Sequence, residues 1–397
     1  MKLVNLSCTS PAMTLPHGKR IADLAPDIIA FTGDTPYMGS EGTLWGMPVD
    51  HTDQQGDPHG VAAVDGPVTE ARFRMNHEAY KKNAGVKRIL KFPTRWVIDN
   101  HEISGAWDHT PANAQAYDDG TGLPGLPQTQ EHTNATYQNA MAAFKAAHPQ
   151  MQAIYDTGGA VGDVPSGAIT VDTPRDPANA IAANYPPTWG SEIVDNVEIF
   201  YLDCMAGKDA PDGLAYNDAG KVMLGANQRI WLDTALVTSK NNADIDFRII
   251  ISAKQCLADT GSAGWVAWNE YKVQQRSIID TYTAAGVRGV LWVCSDPHHP
   301  LSLRNIVEDG GVDFAGICAS PGASTSGGSD AGLATPTPED FGNMVYAHRN
   351  STVVCHQCFA LVEVVGTALT AKIIDQFGDE LFVGTMVPTE NSWQTTS

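Results

Sequence analysis

The sequence predicts an α/β protein in which most strands are buried. Short apolar runs bounded by turn residues recur along the chain, helix-like segments alternate with them, and only 18% of the 397 residues are charged. An apolar run without polar alternation is typical of a strand that is covered on both faces, and strands that alternate with helices favour a largely parallel sheet. We therefore expect one large globular domain with appendages.

The elements are predicted in order from the N-terminus. Residues 2–6 and 27–32 are strands with a helix-like stretch at 20–24 between them, which is a βαβ opening. The helix-permissive residues 70–90 lead to a strand at 96–98. Further along the chain, the predicted helices are 134–148, 228–236 and 271–284, and the predicted strands are 198–202, 247–252 and 290–294.

The C-terminal part of the chain predicts a β-meander. Its apolar runs, at 359–364, 368–374 and 380–383, are separated by Gly366 and Gly378. A segment rich in serine, glycine and threonine precedes them and is expected to be a plain connector. The predicted organisation is a core over residues 1–320, a flexible loop over 321–338, and a meander over 339–397 that completes the same domain.

The charge of the chain limits its function. It has 25 basic and 45 acidic residues, for a formal net charge of -20 at pH 7. This charge repels a phosphate backbone at long range, so a main function in nucleic-acid binding is not expected. It also repels small anionic substrates unless bound cations reverse the local field. The alternative is that most of these carboxylates only keep the protein soluble.

The seven cysteines are an odd number and widely spread, so they do not indicate a disulfide framework, and at least one should be free. Cys355 and Cys358 have the spacing of half a zinc site, but no second pair follows at the usual distance. Paired or buried thiols in a strand are therefore the favoured interpretation of these two residues.

The sequence contains no run of about 18 apolar residues, so no transmembrane segment is expected. The apolar stretch within residues 1–8 is too short for a secretory signal. We expect a cytoplasmic protein, or an extracellular or periplasmic one whose leader has been removed.

Polar residues follow several of the predicted strands. Asp34, Asn100 and Asp296 each lie just after the end of an apolar strand. Ligand sites in open α/β sheets form outside the carboxyl ends of the strands, where the loops converge. With the adjacent His101 and His298, these residues make a mixed oxygen and nitrogen set that suits hard or borderline cations. Taken singly, each is as well explained as a helix cap or a turn residue.

Several segments can be compared, in their order along the chain, with known families. They are Ser7-Cys8, Gly33-Asp34-Thr35-Pro36-Tyr37, residues 96–102 (WVIDNHE), residues 224–232 (LGANQRIWL), residues 268–276 (WNEYKVQQR) and Asp296-Pro297-His298. In order and rough spacing they resemble the calcineurin-like metallophosphoesterases, and in detail they are similar to the PhoD-like alkaline phosphatases and phosphodiesterases. The resemblance spans residues 3–299, and the C-terminal meander also fits it. It implies a four-layer αββα sandwich.

The resemblance implies metal ligands of two kinds. Around one metal, expected to be Fe3+, it places Cys8, Asp34, Tyr37 and His298. Asp34, Asn100 and Asp296 would surround neighbouring Ca2+, with Zn2+, Mn2+ or Mg2+ as alternatives, and Asp34 would bridge the metals. Thiolate, phenolate and imidazole suit a ferric centre, whereas carboxylate and amide oxygens suit calcium.

The same resemblance implies a role for His101 near the leaving group, as a proton donor or a hydrogen-bond stabiliser. Glu102 either orients His101 or simply begins a helix. Without the resemblance, Cys8 would be interpreted as a small buried hydrophobe and Tyr37 as a turn residue.

The chain departs from the family pattern after the strand at 198–202. Where the family has an arginine that clamps phosphate, this chain has Met205, and Lys208 takes the place of a second arginine. Lysine cannot copy the bidentate geometry of a guanidinium. Lys208 is a candidate substrate-binding residue, and Arg304 is another candidate for the missing positive charge. Ser295 stands where glycine is usual in the family.

The resemblance implies an enzyme that hydrolyses small-molecule phosphate esters, as an alkaline phosphomonoesterase or phosphodiesterase, by metal-activated water. One alternative is the hydrolysis of another phosphorus ester, such as a phospholipid headgroup or a phosphotriester, which Met205 favours. The other is a protein that binds a phosphorylated ligand without turnover. That alternative predicts missing metal ligands, whereas every matched position here keeps a competent residue.

Overall fold

The computed structural model describes residues 1–7, 9, 17–33, 35, 70–102, 134–159, 162, 187–208, 220–254, 268–295, 301–306, 313–319, 343–346 and 357–393. The flexible loop predicted over residues 321–338 lies outside these ranges.

The strands, in chain order, are β1 (Lys2–Leu6), β2 (Ile28–Thr32), β3 (Thr94–Val97), β4 (Gly190–Val194), β5 (Val197–Tyr201), β6 (Phe247–Ser252), β7 (Val290–Cys294), β8 (Leu301–Ile306), β9 (Asp313–Cys318), β10 (Asn343–Tyr346), β11 (Cys358–Val365), β12 (Ala368–Asp375) and β13 (Glu380–Met386). The helices are α1 (Gly18–Leu24), α2 (Glu70–Lys82), α3 (Ala84–Ile89), α4 (Asn134–Ala147), α5 (Gln152–Tyr155), α6 (Ala226–Asn241) and α7 (Lys272–Ala284).

The strands form two sheets. The first has the order β13-β12-β11-β1-β2-β3, and the second has the order β10-β8-β9-β7-β6-β5-β4. In the first sheet β1, β2 and β3 are parallel, and β11 pairs antiparallel with the free side of β1. In the second sheet β5, β6, β7 and β9 are parallel neighbours, and β4, β8 and β10 pair antiparallel. The N-terminal and C-terminal parts of the chain therefore share one sheet.

The two faces of the second sheet pack against different partners. Ile249 and Ile251 of β6 belong to the core that contains residues of the first sheet, such as Val4 and Phe31. Ile250, which points to the other face, belongs to a separate core with residues of α6 and α7. Alternate residues of a strand point to opposite faces, so the second sheet lies between the first sheet and these helices.

The outer face of the first sheet is covered by α1 to α4. Buried side chains of these helices that belong to the core of the first sheet include Ile21, Phe73, Val86 and Phe144. The layers are therefore helices, sheet, sheet, helices. The fully buried strands β2, β6 and β7 are the continuous apolar runs of the sequence, because helices or the other sheet cover both of their faces.

The structure confirms the predicted alternation and the β-meander, and it adds elements that the sequence did not reveal. The helix-permissive stretch at 70–90 forms two helices, because the side chain of Asn83 accepts the Gly85 backbone N–H at 2.9 Å and caps α3. The strands β4, β8, β9 and β10 were not predicted. Each has an antiparallel neighbour in the second sheet, and that pairing is not visible in a short local pattern.

Cys204 is a buried thiol outside any disulfide bond, which confirms that at least one cysteine is free. Cys358 is buried at the start of β11, in agreement with a thiol in a strand. Cys294 is disulfide-bonded, and its partner lies outside the described residues. None of the described helices has the length and apolar character needed to cross a membrane.

Two buried histidines lie between α2, α4 and β3. The ring centroids of His77 and His148 are 5.1 Å apart, and His148 stacks on Trp96 with the ring centroids 4.1 Å apart. Their ring nitrogens have no hydrogen-bond partner within the described part of the chain. Burial lowers the pKa of His77 from 6.5 to about 3 and lowers the pKa of His148 well below 6.5. Both rings are therefore neutral in the folded protein at pH 7.

This histidine pair should make the fold sensitive to acid. The unfolded chain protonates His77 below its ordinary pKa of 6.5, whereas the folded protein keeps it neutral down to about 3. Its stabilisation is therefore complete above pH 6.5 and is lost as the pH falls towards 3. His77→Phe is expected to reduce the loss of unfolding free energy between pH 7 and pH 5 by about 2 kcal/mol, measured by urea unfolding at both pH values. Equal losses in the two proteins would contradict this prediction.

Candidate active site

The carboxyl ends of parallel strands from the two sheets meet at one edge of the fold. Ser295, which follows β7, has its Oγ 2.6 Å from the carbonyl oxygen of Thr32 and 2.8 Å from that of Ala253. Lys254, which follows β6, has its Nζ 2.7 Å from Oδ1 of Asp99, which follows β3. These contacts join the strand ends of the first sheet to those of the second. The edge that they form is where the sequence predicts the ligands.

The predicted site residues are described to different extents. Cys8, Asp34, Tyr37, Asp296 and His298 lie outside the described residues. His101 lies in a 3-10 turn and Arg304 lies in β8, and the structure describes only the backbone of these two. Asn100 and Lys208 are described with their side chains, and both are buried. Within the described ranges, no group of three or more histidine, cysteine, aspartate or glutamate residues is arranged to hold a metal ion.

Chain neighbours of the predicted ligands are fixed at the joined edge. Ser7 precedes Cys8, Thr35 follows Asp34, and Ser295 precedes Asp296; all three of these neighbours are fully buried. The hydroxyls of Ser7 and Thr35 have no hydrogen-bond partner among the residues that the structure describes. Buried hydroxyls are normally paired, so these two exceptions mark the positions next to the predicted ligands Cys8 and Asp34 as candidates for contact with a bound group.

Gly33 occupies a position that only glycine fits. Its φ is +80°, and a Cβ atom at this position would lie 2.3 Å from Cβ of Asp99 and 3.3 Å from Cβ of Ala253. The ends of β2, β3 and β6 therefore approach one another too closely for any side chain at residue 33. The predicted ligand Asp34 follows directly on this fixed backbone.

Glu102 connects the loops after β2 and β3. Its side chain is fully buried; Oε1 accepts the backbone N–H of Thr35, and Oε2 accepts that of Asp99 at 2.7 Å. A carboxylate that accepts two backbone N–H groups makes charge-assisted hydrogen bonds, which are stronger than neutral ones. Glu102 therefore does more than begin a helical turn, since it positions the loop that contains Asp34 against the loop that contains Asn100.

Glu102→Gln is expected to lower the free energy of unfolding by about 2 kcal/mol, because an amide offers one acceptor oxygen where two donors must be satisfied. Catalytic activity at this site should fall by about 10- to 100-fold as the two loops separate. Urea unfolding and a turnover assay measure the two effects. The control is Glu78→Gln on the exposed face of α2, which should change stability by less than about 0.5 kcal/mol. Wild-type values for both Glu102→Gln measurements would contradict the proposed link.

Lys254 and Asp99 both contact Asn100. Asp99 belongs to the segment 96–102 that the sequence indicates for the site, whereas Lys254 was not assigned to the site from the sequence. Nζ of Lys254 lies 3.2 Å from Oδ1 of Asn100, and Oδ1 of Asp99 accepts the Asn100 backbone N–H at 2.8 Å. The signal for Lys254 was present, since it follows β6 as Asp34 follows β2. Ser295 stands where glycine is usual in the family, and its hydroxyl makes contacts that glycine could not make.

The loop after β5 is organised by Asp203. Its Oδ1 accepts the backbone N–H groups of Met205 and Ala206 at 2.7 and 2.8 Å, and its Oδ2 accepts the hydroxyl of Thr188. The side chain of Met205 is 1% exposed and belongs to the core that contains residues of both sheets. Position 205 therefore supports the fold and does not present its side chain to a ligand.

The neighbouring Cys204 is also structural. Its sulfur lies 3.4 Å from Oγ of Ser252, and burial raises the pKa of its thiol to about 12. The thiol is therefore neutral at physiological pH and is neither a nucleophile nor a thiolate ligand.

Met205→Arg is expected to destabilise the protein by on the order of 3 kcal/mol, because it introduces an unpaired charge into the core. It should not restore a phosphate clamp. Met205→Leu, which keeps the volume and the apolar character, is the control and should change stability by less than about 1.5 kcal/mol. Urea unfolding measures both effects. An arginine variant with wild-type stability and tighter inhibition by inorganic phosphate would show that position 205 faces the ligand.

The described residues fit a cation-binding site. The amide oxygen of the predicted ligand Asn100 and Oδ1 of Asp99 lie 3.2 and 2.7 Å from Nζ of Lys254, so oxygen donors surround a positive charge at this edge. The loops that contain the other predicted ligands Asp34 and Asp296 meet at the same edge through Ser295 and Thr32. Carboxylate and amide oxygens are the donors that hard divalent cations take. If a divalent cation is bound here, Asp34, Asn100 and Asp296 would hold it.

Two facing sheets between helical layers, with polar loops at the joined strand ends, define an α/β fold of the metallophosphoesterase type. A family model described as PhoD-like phosphatase matches residues 6–367. The chain belongs to the PhoD-like phosphatase family, and it is a phosphatase that hydrolyses phosphoesters. The predicted family and fold class are therefore confirmed.

A solved structure described as "Structure of PhoD" resembles the chain in fold. The TM-score is 0.61 at 13% sequence identity, and the match covers 100% of this chain and 71% of that chain. At this identity the likeness supports the fold alone. A search of curated protein sequences found no match.

Proposed function

We propose that this phosphatase is a metal-dependent alkaline phosphomonoesterase or phosphodiesterase that acts on small-molecule phosphate esters. Its metal ligands would be Cys8, Asp34, Tyr37, Asn100, Asp296 and His298. The metals would be Fe3+ and Ca2+, with Zn2+, Mn2+ or Mg2+ as alternatives. Such a cluster, when bound, makes water more acidic and stabilises the attacking and leaving oxygens of phosphoryl transfer.

The observation that supports this proposal is the junction of the two sheets. Ser295 contacts the end of β2 at Thr32, and Lys254 contacts the end of β3 at Asp99. Asp34, Asn100 and Asp296 are separated along the chain, yet each follows one of these joined strand ends. Loops that start at one edge of the fold bring their side chains to one site, which three unrelated turn residues would not do.

The chain's own residues would bind and orient the substrate. The buried residues next to the predicted ligands exclude water from the interior side of the site. Glu102 keeps the loops after β2 and β3 at a fixed separation. His101 lies in the turn directly after Asn100, where it would donate a proton or a hydrogen bond to the leaving oxygen. Lys208, which is 6% exposed, would add positive charge near the phosphate from the loop after β5.

Asp34→Ala or treatment with a chelator is expected to abolish the hydrolysis of nitrophenyl phosphate and of its diester, because the variant loses a predicted metal ligand and the chelator removes the metal itself. Initial rates on both substrates measure the loss. Asp23→Ala, at an exposed aspartate of α1, is the matched control and should keep wild-type rates. Full activity of the metal-free protein would refute metal dependence.

Elemental analysis of the purified protein distinguishes the possible cofactors. Iron with calcium supports the ligand set that includes Cys8 and Tyr37, whereas zinc alone supports a site made of carboxylates and histidines. A protein that binds no metal and turns over no ester would instead be a phospho-ligand binding protein.

Met205 favours a second candidate function. Methionine stands where the family resemblance places an arginine near the phosphate, so one positive charge is absent there, and the Met205 side chain is buried in the core. A substrate with less negative charge, such as a phosphotriester or a phospholipid headgroup diester, needs fewer cationic contacts. A panel of mono-, di- and triesters under identical conditions decides between the candidates, and a preference for triesters would favour the second.

A further inference from the structure

Lys254 is a charged residue with no exposed surface. It lies two residues after β6, and 0% of its surface is accessible to solvent. An ammonium group loses strong hydration when it is buried, so it is retained only where partners compensate for that loss. Its partners therefore indicate what the residue does.

These partners connect Lys254 to the predicted ligand Asn100. Nζ of Lys254 lies 2.7 Å from Oδ1 of Asp99 and 3.2 Å from Oδ1 of Asn100. The same Asp99 oxygen accepts the backbone N–H of Asn100 at 2.8 Å. The ion pair thus contacts Asn100 through both its backbone and its side chain.

An ammonium group selects one orientation of an amide. The Asn100 side chain ends in an acceptor oxygen and a donor NH2 group, whereas Lys254 offers only donors. The oxygen therefore faces Lys254. An amide oxygen has two acceptor positions, so a cation can share this oxygen with the lysine. Asp99 balances the charge of the lysine, and the pair adds no net charge that would repel a cation.

We propose that Lys254, paired with Asp99, is a positioning residue that fixes the Asn100 amide so that its oxygen, and not its NH2 group, is the atom that a divalent cation would contact. This inference rests on the proposed metal-dependent function. A hydrogen bond from a neighbouring side chain that orients a metal ligand commonly changes metal affinity by about 10- to 100-fold. The pair therefore tunes the affinity of the site in addition to joining the two sheets.

The test is the double variant Asp99→Asn/Lys254→Met. It removes both charges of the ion pair together, and the amide that replaces the Asp99 carboxylate keeps an oxygen for the Asn100 N–H. The variant is expected to unfold within a few degrees of the wild-type midpoint, because neutral replacement of a buried ion pair is often tolerated. Calorimetric titration of metal-free protein with Ca2+ and Mn2+ should show affinity about 10- to 100-fold weaker than wild type. A shifted midpoint with unchanged affinity would show that the pair is only structural.

Lys221→Met is the matched control. Lys221 is also 0% exposed, but its Nζ lies 5.1 Å from the centroid of the Tyr271 ring, which belongs to the core between the second sheet and its helices. Lys221→Met should keep wild-type metal affinity even if the variant is less stable than wild type. Equal weakening in the Lys221 and double variants would overturn the proposal, since any buried lysine would then have the same effect.

Asn100→Asp gives a further check on the mechanism. Both oxygens of a carboxylate are acceptors, so orientation no longer matters, and adding the double variant to this background should weaken the affinity by less than about threefold. A full loss of about 10- to 100-fold there would overturn the orientation mechanism.

If the wild-type protein binds no divalent cation and Asp34→Ala is fully active, the proposed function fails together with this inference. If wild type and double variant bind with equal affinity, only this inference fails.

Discussion

The buried ion pair between Asp99 and Lys254 is the contact on which the arrangement of the candidate site depends. It connects the end of β3 in the first sheet with the end of β6 in the second, and both side chains are almost completely removed from solvent. Breaking a buried ion pair by removing one of its partners is generally strongly destabilising. The two sheets are therefore held together at the strand ends, where loops would otherwise diverge.

Other buried polar contacts act at the same edge. The hydroxyl of Ser295 reaches the carbonyl oxygens of Thr32 and Ala253, and Glu102 accepts backbone N–H groups from the loops after β2 and β3. Each of these contacts satisfies groups that the end of a strand leaves without a sheet partner. The apolar cores fix the distance between the layers, and these polar contacts fix the loops.

The loop after β5 illustrates how a family position changes its role. Asp203 holds the backbone of Met205 and Ala206, and the Met205 side chain packs in the core. A residue at a position where the family resemblance implies a phosphate clamp thus contributes to stability here. This change would affect substrate preference through electrostatics, because a cationic contact to the substrate is lost and position 205 supplies no new one.

The sequence by itself determined the buried strands, most of the helices, the meander and the family. These features depend on local apolar periodicity and on short motifs, as in β2, β6 and the segment that ends in Asn100. It also placed Asp34, Asn100 and Asp296 at strand ends, and the structure describes the side chain of Asn100 among these.

Only the tertiary structure decided which strands are neighbours and which buried groups meet. β1 lies between β2 and the distant β11, and β8, β9 and β10 become strands through partners that a local pattern does not specify. Lys254 follows its strand as the predicted ligands do, but its pairing with Asp99 joins residues from different sheets. Such a contact depends on how two sheets pack, which periodicity within either segment does not encode.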